Sequence, residues 1–284
     1  MDIKILEMED TKCRFVLKNA SPAKANALRR TMLTDIPKMA IDSVDFHLGP
    51  IDVDGREFES ITPLFDEIIA HRLGMVPVPT RPDGFEFNYK DDCVCGGEGC
   101  ANCSVMYSLN RNGPCTVLSG DLMPVMGGSG VSNESLKPCD LNIPIVELAD
   151  RQSVMIYAHA VKGTARKHVK WQVANGVGYK YMPRIEIGNV SDPEDVKSAC
   201  PKNVFDISKG KLTVRKGGEL DCILCNACSE KDPEVKVTGD DTEFVFTFET
   251  DGSLTAQQVL DEAAKILSED AKDLGEKIKA LASE

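Results

Sequence analysis

Apolar and polar positions alternate in several short runs along the chain. Cys13, Phe15 and Leu17 fall on one side of such a run, with Arg14 and Val16 on the other, which predicts a half-buried strand. Residues 41–48, the run Val154, Ile156, Ala158, Ala160 and the run Phe244, Phe246, Phe248 predict three more. Elsewhere the spacing turns helical. Ser21 is placed as an N-cap, Pro22 suits the first helical position, and Ala25, Leu28 and Met32 form an apolar stripe that Pro37 ends. A second helix is predicted in LFDEIIAHRLGMVPVP, with Phe65, Ile68, Ile69 and Leu73 as its apolar face and Gly74 as its stop.

The C-terminal pattern is the longest. Thr255 and Gln258 have the spacing of a capping box. Beyond them Leu260, Ala264, Leu267, Ala271, Leu274, Ile278 and Leu281 recur in steps of four and three, the heptad seam of a helix packed along another. Gly275 inside it costs about 1 kcal/mol relative to Ala, so the helix needs support from its own domain or from a partner chain. Residues 83–144 differ: rich in Gly, Asn, Asp, Cys and Pro, without sustained periodicity, they predict a loop-rich insertion.

At 284 residues, 42% of them hydrophobic and 27% charged, the chain is expected to be globular, with one to three domains. Its formal net charge of −12 argues against a nucleic-acid surface, which needs a basic stripe. That charge is compatible with a place in a nucleic-acid enzyme away from the template. No run approaches the ~20 apolar residues of a membrane span, and the charged N-terminus has no apolar core of a secretory signal. A cytoplasmic location is therefore expected, and in a reducing compartment eleven cysteines read as metal ligands before disulfides.

Two cysteine sets have ligand spacing. Cys222, Cys225 and Cys228 stand as C-x2-C-x2-C, and Cys200 is followed by Pro201. Two-cluster bacterial ferredoxins use C-x2-C-x2-C-x3-C-P twice, the fourth cysteine of each run serving the other cluster. Here Asp232-Pro233 stands in place of one final Cys-Pro, and Val190, Pro193 and Val196 replace the three early ligands of the other run. The four cysteines that remain are those of a single cluster, [4Fe–4S], or [3Fe–4S] if Cys200 is remote; four thiolates on zinc are the other reading. Cys93, Cys95, Cys100 and Cys103 form C-x-C-x4-C-x2-C with intervening glycines, either a zinc site or free thiols in a loop. Cys13, Cys115 and Cys139 are isolated, and the four histidines lack catalytic or metal spacing. No residues are assigned to catalysis, since neither a nucleophile elbow nor a phosphate loop occurs. A lone cluster leaves two functions open: a structural element of an assembly protein, or a ferredoxin-like electron carrier or iron–sulfur subunit of an oxidoreductase.

Three further stretches carry a family resemblance. KANALRRTMLTDIPKMAIDSV resembles the first helix and following strand of the RNA polymerase alpha-subunit assembly domain, whose N-x-hydrophobic-R-R core lies at a dimer interface; here it is Asn26, Ala27, Leu28, Arg29 and Arg30. DEIIAHRLGMVPVP resembles the second signature of that family through Glu67, His71, Arg72, Gly74 and Pro77. Residues 167–172, KHVKWQ, resemble a stretch shared by archaeal and eukaryotic members. The resemblance spans essentially the whole chain and implies an α+β fold. Its parts would be a discontinuous dimerisation domain (1–46, 151–191, 236–284), an inserted loop-rich β domain with the four-cysteine loop (47–150) and a ferredoxin-like iron–sulfur domain (192–235). It implies a non-catalytic assembly subunit of DNA-directed RNA polymerase, a nucleotidyltransferase. Such a subunit pairs with the small subunit L, is joined by subunits N and P, and carries the large catalytic subunits. Asn26, Leu28, Arg29 and Arg30, with Leu260, Leu267, Leu274, Ile278 and Leu281 of the seam, are then the expected partner-binding residues. Direct contact with nucleic acid or membrane is not expected.

Overall fold

The computed structural model describes residues 2–53 and 55–282. The chain runs β1 (Asp2–Met8), β2 (Lys12–Lys18), α1 (Pro22–Thr34), β3 (Lys38–Phe46), β4 (Pro50–Val53), β5 (Arg56–Glu59) and α2 (Asp66–Met75). It continues through β6 (Ser104–Asn112), β7 (Cys115–Leu118), β8 (Met123–Met126), β9 (Pro144–Leu148), β10 (Ser153–Gly163) and β11 (Ala174–Ile187). The last stretch holds α3 (Pro193–Ala199), β12 (Phe205–Ser208), β13 (Lys211–Val214), α4 (Gly218–Asp221), α5 (Ala227–Lys231), β14 (Val235–Thr250) and α6 (Ala256–Leu281). No described helix is long and apolar enough to cross a membrane.

These elements form two compact units, Met1–Arg29 with Gly176–Phe248 and Arg30–Asn175 with Glu249–Glu284. The division falls inside α1, β11 and β14, and so differs from the three segments that the resemblance implies.

The first unit is built on a sheet of order β1-β2-β14-β11. One face is aromatic: Phe15 stacks on Phe246 with centroids 4.9 Å apart, and Tyr179 lies 5.1 Å from Phe246. On the other face Val16, Met182 and Val245 pack with Leu6 and Leu220. The cysteine-bearing module follows with its own small core of Val196, Val204, Phe205, Leu212, Cys222, Cys228 and Val235. Its first helix, α3, is capped by Asp192, whose Oδ1 accepts the amides of Glu194 at 3.1 Å and Asp195 at 3.2 Å.

The second unit holds a sheet of order β3-β10-β6-β8 and the hairpins β4-β5 and β7-β9. Helix α2 packs on β3 and β9. Its buried face is only Ile69, Leu73 and Gly74; Phe65 is 77% exposed and Ile68 41%. The expected face was too wide because Phe65 is the extended N-cap and projects outside the helical stripe. Gly74 is not the stop either. It lies within the helix, where a Cβ would stand 3.5 Å from the Ile41 carbonyl oxygen, and the chain leaves the helix through extended Val76 before Pro77. The insertion at 83–144 contains β6, in which Val105, Tyr107 and Leu109 alternate into the core. Flanking Gly-rich and Asn-rich loops hide that alternation in any longer window.

Buried Lys38 anchors the start of α6. Its ammonium donates to the carboxylate of Asp251 and to the Lys170 carbonyl at 3.1 Å. Asp251 in turn accepts the Ser253 amide at 3.0 Å, two residues before the Thr255 cap. Thr255 and Gln258 exchange the two hydrogen bonds of a capping box, 2.9 and 3.2 Å. Arg81 reaches Glu262 at 2.7 Å on the second turn of the helix.

Candidate metal centres and the exposed seam

Between α2 and β6 the chain folds back on itself at Cys93–Cys103. Gly96, Gly97 and Gly99 have φ of 67°, 87° and 94°, a left-handed backbone that favours glycine and tightens the turns. The Cys103 amide donates to the Cys100 carbonyl at 3.0 Å, and the Cys100 amide to Cys103 Sγ at 3.3 Å. All four sulfurs lie within 4.8 Å of one another, with separations of 3.6 Å (Cys93–Cys100), 3.6 Å (Cys95–Cys103) and 3.9 Å (Cys100–Cys103). A tetrahedral thiolate site with metal–sulfur bonds of ~2.3 Å has an edge of about 3.8 Å. The set is placed to hold one metal ion. Its thiols differ in acidity. The Gly99 amide pulls Cys95 down to about 6, while burial pushes Cys103 up to about 12.

Cys200, Cys222, Cys225 and Cys228 line one small cavity with Val204, Phe205 and Val237. Leu224 and Asn226, on either side of Cys225, take left-handed φ of 57° and 62° and coil the C-x2-C-x2-C loop around the cavity. Cys222 and Cys228 are buried, Cys200 is half-buried and Cys225 exposed; burial pushes the thiols of Cys222 and Cys228 up. The Val204 amide donates to Cys200 Sγ at 3.4 Å. Among the described residues only the Cys93–Cys103 set brings its sulfurs to single-ion distances. The positions that the ferredoxin pattern has lost are filled by packing: Val196 is in the module core with Val190 against it, and Asp232 accepts the amides of Ser191 and Glu234, each at 2.9 Å.

Spacing could not show what holds the cysteine loop to the sheet. Arg14 of β2 and Lys180 of β11 both donate to the Leu220 carbonyl, at 2.6 and 2.7 Å, and Lys180 also to the Cys222 carbonyl at 2.6 Å. The isolated cysteines separate: Cys13 is buried, Cys115 half-buried and Cys139 exposed. Among the histidines, His159 faces Asp45 at 3.2 Å and His168 accepts the Lys170 amide at 3.1 Å. His71 and Gly74 line one groove with His168 and Lys170, so two of the sequence signatures meet in space.

Of the seam read in α6, Leu260 is buried and Leu267 half-buried, Ala264 and Ala271 are exposed, and Leu274 is 59% exposed, Ile278 57% and Leu281 72%; the stripe that the first turns bury is Ala256, Val259, Leu260 and Ala263. In α1, Leu28 is buried within the chain, Arg30 is exposed, and Arg29 donates to Asn26 Oδ1 at 3.2 and 2.9 Å. On the edge strand β1, exposed Ile3 and Ile5 stand opposite buried Leu17 and Phe15, so they extend the aromatic face of the sheet beyond its cover.

An α+β chain whose longest helix carries a bare apolar seam has the architecture of a dimerisation module. Residues 14–271 match the RNA polymerase Rpb3/Rpb11 dimerisation domain, and the chain belongs to that family. It is 42% identical over 263 residues to DNA-directed RNA polymerase subunit Rpo3 of Thermoplasma volcanium, covering 92% of this chain and 93% of that one. Rpo3 of Picrophilus torridus is 40% identical (97% and 99% covered) and that of Archaeoglobus fulgidus 36% (99% and 98%).

Proposed function

We infer that this chain is the non-catalytic assembly subunit of an archaeal DNA-directed RNA polymerase, the subunit called D in that enzyme. It contributes to nucleotidyl transfer only as part of the complex. Full-length similarity to Rpo3 and membership of the dimerisation family support this reading, and the exposed seam at Leu274, Ile278 and Leu281 is the observation that carries it. Three leucine-size side chains in steps of four and three on one exposed helical stripe are a surface awaiting a second helix. The partner is the small subunit L, with N, P and the large catalytic subunits joining the pair. Asn26, Arg29, Arg30 and Leu267 flank the contact, while Leu28 and Leu260 support it from inside. By chain segment, 1–46, 151–191 and 236–284 make the dimerisation domain, 47–150 the insertion and 192–235 the ferredoxin-like domain.

Cys93, Cys95, Cys100 and Cys103 hold one zinc ion; their sulfur separations support it. Cys200, Cys222, Cys225 and Cys228 hold one [4Fe–4S] cluster. In a cubane each thiolate binds a different iron, so its sulfurs stand farther apart than four on one ion. Four cysteines around one cavity, not drawn to single-ion distances, support that choice over zinc, and the fourth lining residue supports four irons over three. Bound there, the cluster supplies a four-point cross-link to a module with little apolar core. The electron-carrier reading is not favoured, because the similarity extends far outside the cysteine module. Isolation of the chain from its native cytoplasm under anaerobic conditions tests the proposal: the large polymerase subunits should accompany it, and recovery with a dehydrogenase in their place would reject it.

A further inference from the structure

A cleft of about 660 Å³ opens in the first unit, within the range of ligand pockets. It is lined by Lys12 and Arg14 of β2, Lys180 of β11, Lys202, and Leu220 and Asp221 of α4. The charges in it are unbalanced. Arg14 and Lys180 converge on the single carbonyl of Leu220, so two cations share one neutral acceptor. Arg14 Nε is also buried and has no hydrogen-bond partner among the described residues. The two carboxylates that line it pair with two of its cations, Glu7 with Lys12 at 3.4 Å and Asp221 with Arg14 at 3.7 Å, and Asp221 is shared with Arg215, so the excess positive charge falls on Lys180 and Lys202. Among the described residues neither Lys180 nor Lys202 has an ion-pair partner. A locally positive cleft thus lies in a chain of net charge −12. It also adjoins the cysteine cavity, since Lys202 and Ile223 line both.

We propose that this cleft is a vestibule that draws small anions to the iron–sulfur site, so that anionic one-electron oxidants reach the cluster against the overall charge of the protein. The inference rests on the cluster assignment made above. Clefts lined by one sign of charge raise encounter rates by roughly 10–10³-fold, an effect that salt removes. With ferricyanide as the probe, one electron passes from the cluster to the complex ion, which leaves as ferrocyanide; no proton moves and no bond to the protein forms.

The test is stopped-flow bleaching of the cluster absorbance in the full chain at rising ionic strength. Ferricyanide is compared with the cationic oxidant tris(phenanthroline)cobalt(III). Net charge alone predicts that salt speeds ferricyanide, by screening repulsion, and slows the cation. The vestibule predicts that salt slows ferricyanide. Lys202→Glu, which leaves all four cysteines in place, should lower the low-salt ferricyanide rate by roughly tenfold and leave the cobalt complex as fast or faster. A ferricyanide rate that rises with salt in the wild type, or is unchanged by Lys202→Glu, overturns the proposal. If the isolated chain holds no iron and sulfide, the cluster assignment fails by itself, and inorganic pyrophosphate then decides the cleft. Amide NMR shifts at residues 178–180 and 220–223 that disappear in Lys202→Glu support an anion site, and their absence in the wild type rejects it.

Discussion

Asp232 closes the cysteine-bearing module with hydrogen bonds to the backbone. It stands where a ferredoxin run carries its last cysteine, and its carboxylate joins the two ends of the module through the amides of Ser191 and Glu234. Those hydrogen bonds, the Ser191 one first, hold its acidity below the usual carboxylate pKa. A depressed folded-state pKa contributes stability that is present above the unfolded value of about 4 and is lost as pH falls through the folded value. Unfolding of the chain should therefore become easier below about pH 4, and Asp232→Asn should flatten that part of the profile while lowering stability at pH 7; thermal melts at stepped pH measure both. Cys95 makes the second residue-scale prediction. With its acidity near 6 and Cys103 near 12, chelator-stripped protein should be alkylated first at Cys95, at a rate that rises through about pH 6. Peptide mapping that finds Cys103 labelled first would contradict the assignment of Gly99 as its activating donor.

At the scale of elements, two parts carry the account. The C-x2-C-x2-C loop is tied to β2 and β11 by Arg14 and Lys180, and with Cys200 its cysteines line a cavity of about 10 Å³ beside the module's small core. Cys225 is the exposed member of the four proposed ligands, so on that proposal Cys225→Ser should abolish the cluster with little direct cost to packing. Hydrogen exchange should then speed up across 192–235, while the chain still pairs with its small partner. A soluble variant that no longer pairs would show that the cluster acts beyond its own module. Helix α6 is the other part. Its first turns are held by the capping box, Arg81 and the Lys38–Asp251 pair, whereas its distal turns depend on what covers Leu274, Ile278 and Leu281.

At the scale of the molecule, what was legible in the sequence is what depends on spacing along the chain. The long C-terminal helix, its capping box, the alternating phenylalanines of β14 and the turns of Cys93–Cys103 are local patterns, and each is found where it was read, whereas the stripe that α6 buries runs through Val259 and Ala263 and not through Ala264. What was illegible depends on segments far apart. Arg14 meets the Leu220 carbonyl across 206 positions, and β14 lies between β2 and β11 in one sheet, so neither the cationic cleft nor the two-unit division leaves a local signal. Apolar face width on α2 was misread for a related reason: Phe65 is apolar and correctly spaced, yet it is placed by the cap and not by the helix.

The chain is an assembly subunit of an RNA polymerase, and its proposed pairing requires a partner that covers the exposed distal half of α6. Native mass spectrometry of the chain co-expressed with the small polymerase partner subunit, as wild type and as Leu274→Asp/Ile278→Asp, tests that most directly. Both substituted positions are exposed, so the variant should fold, and it should stay monomeric while the wild type forms a one-to-one pair. A wild type that remains alone, or a double variant that pairs as well as the wild type, would contradict the account.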